Sequence, residues 1–152
     1  MNFMNASPDV RSQLQELFAT QRLAVLATDH NGQPYASLVA FAINADLREL
    51  FFATTRDTRK FANLQANPRV SLLIDNRANQ VTDFSAAVAV TVLGSSAELT
   101  GPASRAGMAF YLAKHPHLSE FVAAPSCALI RVQVQSFFLV SRFQNVVEYH
   151  FS

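Results

Sequence analysis

Charge is scarce in this chain of 152 residues: Lys, Arg, Asp and Glu together make up 15%, against roughly a quarter in an average soluble domain. The apolar fraction is 50%, which excludes a disordered chain. So few charges leave an apolar face in need of cover, and a second copy of the chain is the simplest cover. The 12 basic and 11 acidic side chains give a net charge of +1. That excludes the concentrated cationic excess that binding to a nucleic-acid backbone demands. Cysteine is limited to Cys127, so no internal disulfide can form and a reducing compartment fits. Four scattered histidines without a cysteine pair make no recognisable zinc site. The start, MNFMNASPDVRS, has no basic stretch leading into an apolar core. No apolar run approaches the roughly 18 residues needed to span a bilayer. A cytoplasmic protein with no membrane partner is expected. Repeats, low-complexity tracts and linkers are missing as well, so residues 1–152 read as one domain.

What is present is an order of short apolar segments. Ser7 is a plausible N-cap with Pro8 in the first helical position, and Val10, Leu14, Leu17 and Phe18 recur at helical spacing, which predicts a helix over 8–20. LAVLAT (23–28) and YASLVAFAI (35–43) flank Asn31-Gly32, a strong hairpin signal. LRELFFAT (47–54) supplies a third strand. A short helix follows, with Asp57 as its expected cap and Asn67-Pro68 as its stop. RVSLLID (69–75) and AAVAVTVLGSSAEL add two strands on either side of a polar loop, NRANQVTD. Gly101-Pro102 breaks the chain, Met108, Tyr111 and Leu112 mark a helix reaching Lys114, and His115-Pro116-His117 ends it. From Cys127, the alternation of Ile130, Val132 and Val134 with polar residues predicts a half-buried strand, and one or two strands close the chain through VVEYHF. Strands outnumber helices, and the connections between the first three are too short for crossover helices. A closed antiparallel barrel with peripheral helices satisfies this order and removes exposed sheet edges.

The chemistry-bearing cluster is Thr54, Thr55, Thr58, Arg59 and Lys60, where a strand ends and a helix begins. Helix N-terminal amides are unpaired donors with partial positive charge, threonine hydroxyls add further donors, an arginine fork chelates oxygens and a lysine adds a point charge. Together they suit a phosphate. Consecutive cations at a helix N-terminus oppose the macrodipole and need either an anion or solvent. A solvated first turn with Asp57 as cap and partner to the cations accounts for the same residues, so the pattern alone leaves both readings open.

The chain resembles the split-barrel flavin-binding proteins related to pyridoxamine 5'-phosphate oxidase. The resemblance rests on LATDHNGQPYASLVAFAI, LFFATTRDTRKFANLQANPRVSLLID and AVTVLGSSAEL, in the family's order and at about its spacing. It implies a mainly β, antiparallel, Greek-key-like split barrel with peripheral helices. In the family the strand–TxxxxRK–helix passage holds the phosphate of FMN, which carries over to Thr54, Thr58, Arg59 and Lys60, with Thr55 as neighbour. The resemblance also runs the flavin ring along Ser37, Leu38, Val39 and Ala40. Family members often have arginine where Ser37 stands, so backbone hydrogen bonds remain for recognition there. A homodimer with flavin between subunits is implied, with Arg142, Phe143 and Gln144 as candidates for completing the pocket. Asn76 and Arg77 are weaker candidates at the flavin rim.

The implied activity is flavin-mediated electron or hydride transfer on an unidentified small molecule, the flavin carrying the chemistry. Vitamin B6 oxidation is not expected. The resemblance among true oxidases of that vitamin includes a C-terminal tryptophan and an arginine–histidine pair, whereas this chain has no tryptophan and ends SRFQNVVEYHF before its last serine. Two alternatives stay open: a non-enzymatic flavin carrier or sensor, and a haem-binding or haem-degrading relative using His115, His117 or His150. Without a ligand, these histidines read as surface or capping residues, Cys127 as a buried strand residue, and Tyr111 and Tyr149 as packing residues.

Overall fold

The computed structural model describes residues 8–142 and 145–151; the expected cap Ser7 lies outside them. Helix α1 (Pro8–Thr20) leads into strands β1 (Leu23–His30), β2 (Gln33–Ile43) and β3 (Glu49–Thr55). Helix α2 (Arg59–Ala66), strand β4 (Arg69–Asp75), the short helix α3 (Asp83–Ala86) and strand β5 (Val88–Glu98) follow. Helix α4 (Gly101–Lys114), a 3-10 turn (Pro116–Leu118), helix α5 (Ser119–Ala123) and strands β6 (Cys127–Ser141) and β7 (Asn145–His150) complete the order. Asn31 and Gly32 both have positive φ, 51° and 84°, as the two-residue turn between right-twisted strands requires. That turn sets the register from His30 opposite Gln33 to Leu23 opposite Ala40.

The sheet runs β3-β2-β1-β4-β5-β6-β7, and β3 also pairs with β6. The result is a closed six-stranded antiparallel barrel with β7 added outside it, as the sequence predicts. Strand β6 serves two partners besides β5: Cys127–Gln133 lie against β3, and Ser136–Ser141 against β7. Between these halves the β5–β6 register shifts, because Leu93 faces Ser136 whereas Gly94 faces Val134. A β-carbon on Gly94 would collide with the Gln133 carbonyl, so the bulge depends on that glycine.

Period-two alternation sends Leu26, Val39, Phe41, Leu50, Phe52, Leu72, Ile74, Val90, Val92, Ile130, Val132 and Phe137 into the barrel, where Leu14, Leu17 and Phe18 of α1 join them. A second cluster lies under α4 and α5, built from Ala42, Phe51, Ala53, Leu99, Tyr111, Val122 and Leu129. Helix α4 is anchored by polar bonds at its C-terminal end. The Tyr111 hydroxyl donates to the Ala40 carbonyl (3.0 Å), His115 Nε2 to the Phe41 carbonyl (2.8 Å), and Lys114 Nζ to the Phe18 and Gln21 carbonyls (2.8 Å each).

Four local expectations are corrected. Thr58 caps α2, not Asp57. Helix α4 begins at Gly101, where Gly101-Pro102 opens the helix as well as ending the preceding stretch. The polar loop after β4 holds α3, and Cys127 is half-buried. Among the described residues no helix is long and apolar enough to cross a membrane, and no group of three His, Cys, Asp or Glu side chains is placed to hold a metal.

Candidate functional site

Strand β3 pairs with β2 only where Phe41–Ile43 meet Leu50–Phe52, and beyond that Ala53–Thr55 continue beside β6 alone. The β3-facing edge of β2 from Gln33 to Ala40 is therefore left without a strand partner among the described residues. Helix α2 starts at this opening. The Thr58 hydroxyl accepts the Phe61 N–H (3.3 Å) and donates to the Thr55 carbonyl (2.9 Å). Thr54 Oγ1 lies 3.0 Å from Thr58 Oγ1 and 3.2 Å from the Thr55 carbonyl, and Thr54 is buried. Its hydroxyl holds Thr58 in place instead of reaching outward. Thr55 is half-buried at the strand's end.

Arg59 and Lys60 are the first two residues of α2, so their own N–H groups precede the first intrahelical donors. Among the described residues neither cation forms an ion pair, and Asp57 is not their partner. Arg56, three residues earlier, is engaged by Glu98 (2.8 Å) and by the carbonyls of Pro125 and Cys127. Two cations thus stand uncompensated where the helix dipole already disfavours them. The Arg59 guanidinium lies 5.9 Å from the centre of the Tyr35 ring on the open edge of β2. His30, Asp57, Thr58, Arg59 and Asn63 line a cavity of about 370 Å³ here. Asn63 is buried and donates to the Thr28 hydroxyl (3.0 Å), which donates to the Tyr35 carbonyl (3.5 Å). This relay fixes α2 against the hairpin. Sequence reasoning missed Tyr35 and Asn63; the available signal was a polar residue between Phe61 and Leu64 on the helix's apolar side.

Along β2 the expected residues divide. Val39 is a core side chain, Leu38 points outward with 64% exposure, and the Ala40 carbonyl is taken by Tyr111. Ser37 Oγ is buried without a hydrogen-bond partner. Leu38 and Arg77 line one cavity of about 460 Å³ with Arg22, Leu73 and Asp75. Arg77 is tied to Asp75 at 3.1 Å. Asn76 closes its own loop, its side-chain oxygen accepting the Val88 N–H (2.7 Å). Arg142 is exposed with φ 51° after β6, and no described contact joins it to the other candidates. Phe143 and Gln144 lie outside the described residues.

The remaining titratable groups near the barrel are engaged internally. Burial lowers the His115 pKa, against the opposing effect of its bond to Phe41; Lys114, His117 and Arg22 lower it further. Burial pushes Tyr111 up to about 12 and raises the Cys127 thiol. None of the three is suited to proton transfer near neutrality. His150 is held by Ser136 Oγ, 2.7 Å from its Nδ1.

Comparison with known proteins places the chain in a family. The family described as pyridoxamine 5'-phosphate oxidase matches residues 10–141. A heme binding protein from Mycobacterium smegmatis superposes with a TM-score of 0.83 at 18% identity, over 95% of this chain and 59% of that one. Campylobacter jejuni ChuZ gives 0.80 at 14% identity, over 96% and 61%. A FAD-binding protein from Mesorhizobium loti gives 0.67 at 19% identity, over 84% and 90%. The chain therefore spans about three-fifths of the first two proteins. No curated protein matches it in sequence. At such identities the structural likenesses carry the barrel fold, and the family match carries descent: the chain belongs to the pyridoxamine 5'-phosphate oxidase family.

Proposed function

We propose that this protein is a homodimeric FMN-binding oxidoreductase acting on a small molecule. The observation that carries the reading is the pair Arg59-Lys60, uncompensated at the capped N-terminus of α2 beside an open strand edge. A planar ring bearing hydrogen-bonding atoms and a phosphate fits what is there. Arg59 and Lys60 would hold the phosphate with the first-turn amides and the half-buried Thr55 and Thr58. Thr54 positions Thr58. The unpaired edge of β2 offers backbone donors and acceptors to the ring, and the orphaned Ser37 Oγ supplies one more polar atom close by. Leu38 gives an apolar surface that limits water at the same edge. When bound, the flavin supplies the hydride or electron chemistry.

The M. smegmatis neighbour motivates a haem reading as the rival. Against it, His115 is buried and committed to Phe41, and His150 is held by Ser136; the third candidate, His117, is exposed on the 3-10 turn after α4 and lines none of the cavities described, so His117→Ala is included in the haem titration. Titration of the apoprotein with FMN, riboflavin and haem separates the readings, with FMN expected to bind far more tightly than riboflavin. The double substitution Arg59→Ala, Lys60→Ala should weaken FMN binding at least tenfold, since hydrogen bonds to charged groups contribute roughly 1.5–3 kcal/mol each. Unchanged affinity overturns the assignment. Oxidation of reduced nicotinamide by the FMN-loaded protein with an added acceptor separates an enzyme from a carrier.

A further inference from the structure

A cavity of about 410 Å³ lies where the ends of α1 and α4 meet the turn between β2 and β3. Phe18, Ala19, Ile43, Leu47 and Phe110 give it apolar walls, and Lys114 is the one ionisable side chain lining it among the described residues. It shares no lining residue with the cavity at the start of α2 or with the one that holds Leu38. Lysine is rare in this chain, at Lys60 and Lys114 alone. Lys114 is half-buried and, among the described residues, forms no ion pair. The residues facing it are uncharged on α1 (Gln15, Phe18, Ala19), on β2 (Ala42, Ile43) and in the turn (Asn44, Ala45), and its titratable neighbour His115 is committed to the Phe41 carbonyl. Two of its N–H bonds go to the carbonyls of Phe18 and Gln21, at 2.8 Å each. A neutral amine has two N–H groups and one lone pair, so it keeps both bonds with the lone pair to spare; the third N–H of an ammonium adds only the Phe41 ring, 3.9 Å away. Burial pushes the Lys114 pKa down from 10.5 to about 8. At pH 7.5 roughly a quarter of it is then the free amine, against about one in a thousand for an ordinary lysine.

We propose that Lys114 is a nucleophilic amine that captures a small, uncharged aldehyde with an apolar body as an imine in this cavity, whatever the open edge of β2 holds. A lysine amine freed of its proton in apolar surroundings is the group that carbonyl compounds condense with. The volume suits a small molecule, and the lining is apolar with few polar groups. The Nζ lone pair forms a bond to the carbonyl carbon, and the carbonyl π pair moves to its oxygen. The carbinolamine so formed loses water, whose hydrogens are the two of the amine, and a C=N bond remains. No electrons are gained or lost and no co-reactant is consumed. The imine in its protonated form retains one N–H, which the Phe18 or Gln21 carbonyl accepts. A carboxylate or phosphate on the aldehyde finds no second cation among the lining residues.

The test treats the full chain with benzaldehyde and cyanoborohydride, which reduces the imine to a stable secondary amine, and maps the adduct by peptide mass spectrometry. That mapping separates Lys114 from Lys60 and from the N-terminal amine. Lys114 should be modified at least tenfold faster than Lys60 in protein without added FMN, and at a rate that added FMN changes by less than twofold. Its rate should rise with pH to a midpoint near 8, where an ordinary lysine rises near 10.5. Ala19→Phe, at an exposed position on the cavity wall, should slow the Lys114 adduct at least tenfold while urea stability is kept. Lys114→Arg keeps donors for the two carbonyls and should give no adduct in that peptide; the mapping on the unsubstituted chain decides the matter even where this variant fails to fold. A Lys114 that reacts no faster than Lys60, a midpoint near 10.5, a rate indifferent to Ala19→Phe in a folded protein, or a rate suppressed by FMN each overturns the proposal. The first three leave Lys114 as a cap for α1 only, and none of the four bears on whether Arg59 and Lys60 hold a phosphate.

Discussion

The Thr58 hydroxyl links the strand end to the helix start, accepting from Phe61 and donating to Thr55. Thr58→Ala should cost about 1 kcal/mol, as lost N-caps do, and loosen FMN binding, whereas Thr58→Ser should restore both; urea unfolding and FMN titration check this. His115 gives a pH prediction. Its folded-state pKa lies below the ordinary 6.5, chiefly because it is buried. Above that value both states are neutral there and the residue adds no pH dependence. As pH falls below it, the unfolded chain takes a proton that the folded chain resists, so stability drops, by up to about 1.4 kcal/mol per pH unit. His115→Gln keeps a donor for the Phe41 carbonyl and should flatten the acid limb in urea titrations. At this scale the sequence was partly legible. Arg59-Lys60 stood out because they oppose a helix dipole, but Asp57 and Thr58 are both good caps. Thr58 prevails because Thr54 and the Thr55 carbonyl are within its reach. Tyr35 and Asn63 gain their roles from partners far along the chain.

Helix α1 ends at Thr20 without a glycine cap, and two carbonyls near its end are bound by Lys114, which arrives from the last turn of α4. The same ammonium lies 3.9 Å from the Phe41 ring centre. Lys114→Met keeps the stem and removes the donor, and should destabilise the fold by about 1–3 kcal/mol, the cost of stranding partly buried acceptors. Thermal and urea unfolding measure it. Elements were legible where local chemistry decides them, as Asn31-Gly32 decides the β1–β2 hairpin. They were not where a partner decides: α3 is too short to have a period. The uninterrupted run of β6 past its bulge depends on Gly94 in the neighbouring strand.

For the whole molecule, the low charge content foretold an apolar exterior, and the barrel has one. Leu23 and Leu38 share the outer face of β1 and β2 by register and are 55% and 64% exposed, and Val146 on β7 is 57% exposed. A second copy covering the Leu23 side predicts that Leu23→Asp shifts the protein from dimer toward monomer in sedimentation experiments. An unchanged sedimentation coefficient removes that face from the proposed dimer. The sequence carried the barrel because alternation and short turns leave few other closures, but it did not carry the opening beside β2, which arises where β3 turns away to pair with β6. That opening has a consequence for handling the protein. An unpaired strand edge is a template onto which a strand from another molecule can add, and Pro34, which lacks an N–H, blunts only its beginning. A ligand held in the opening, as the proposed function has it, would also shield the remaining backbone from such polymerisation and so guard against aggregation as well as serve the chemistry.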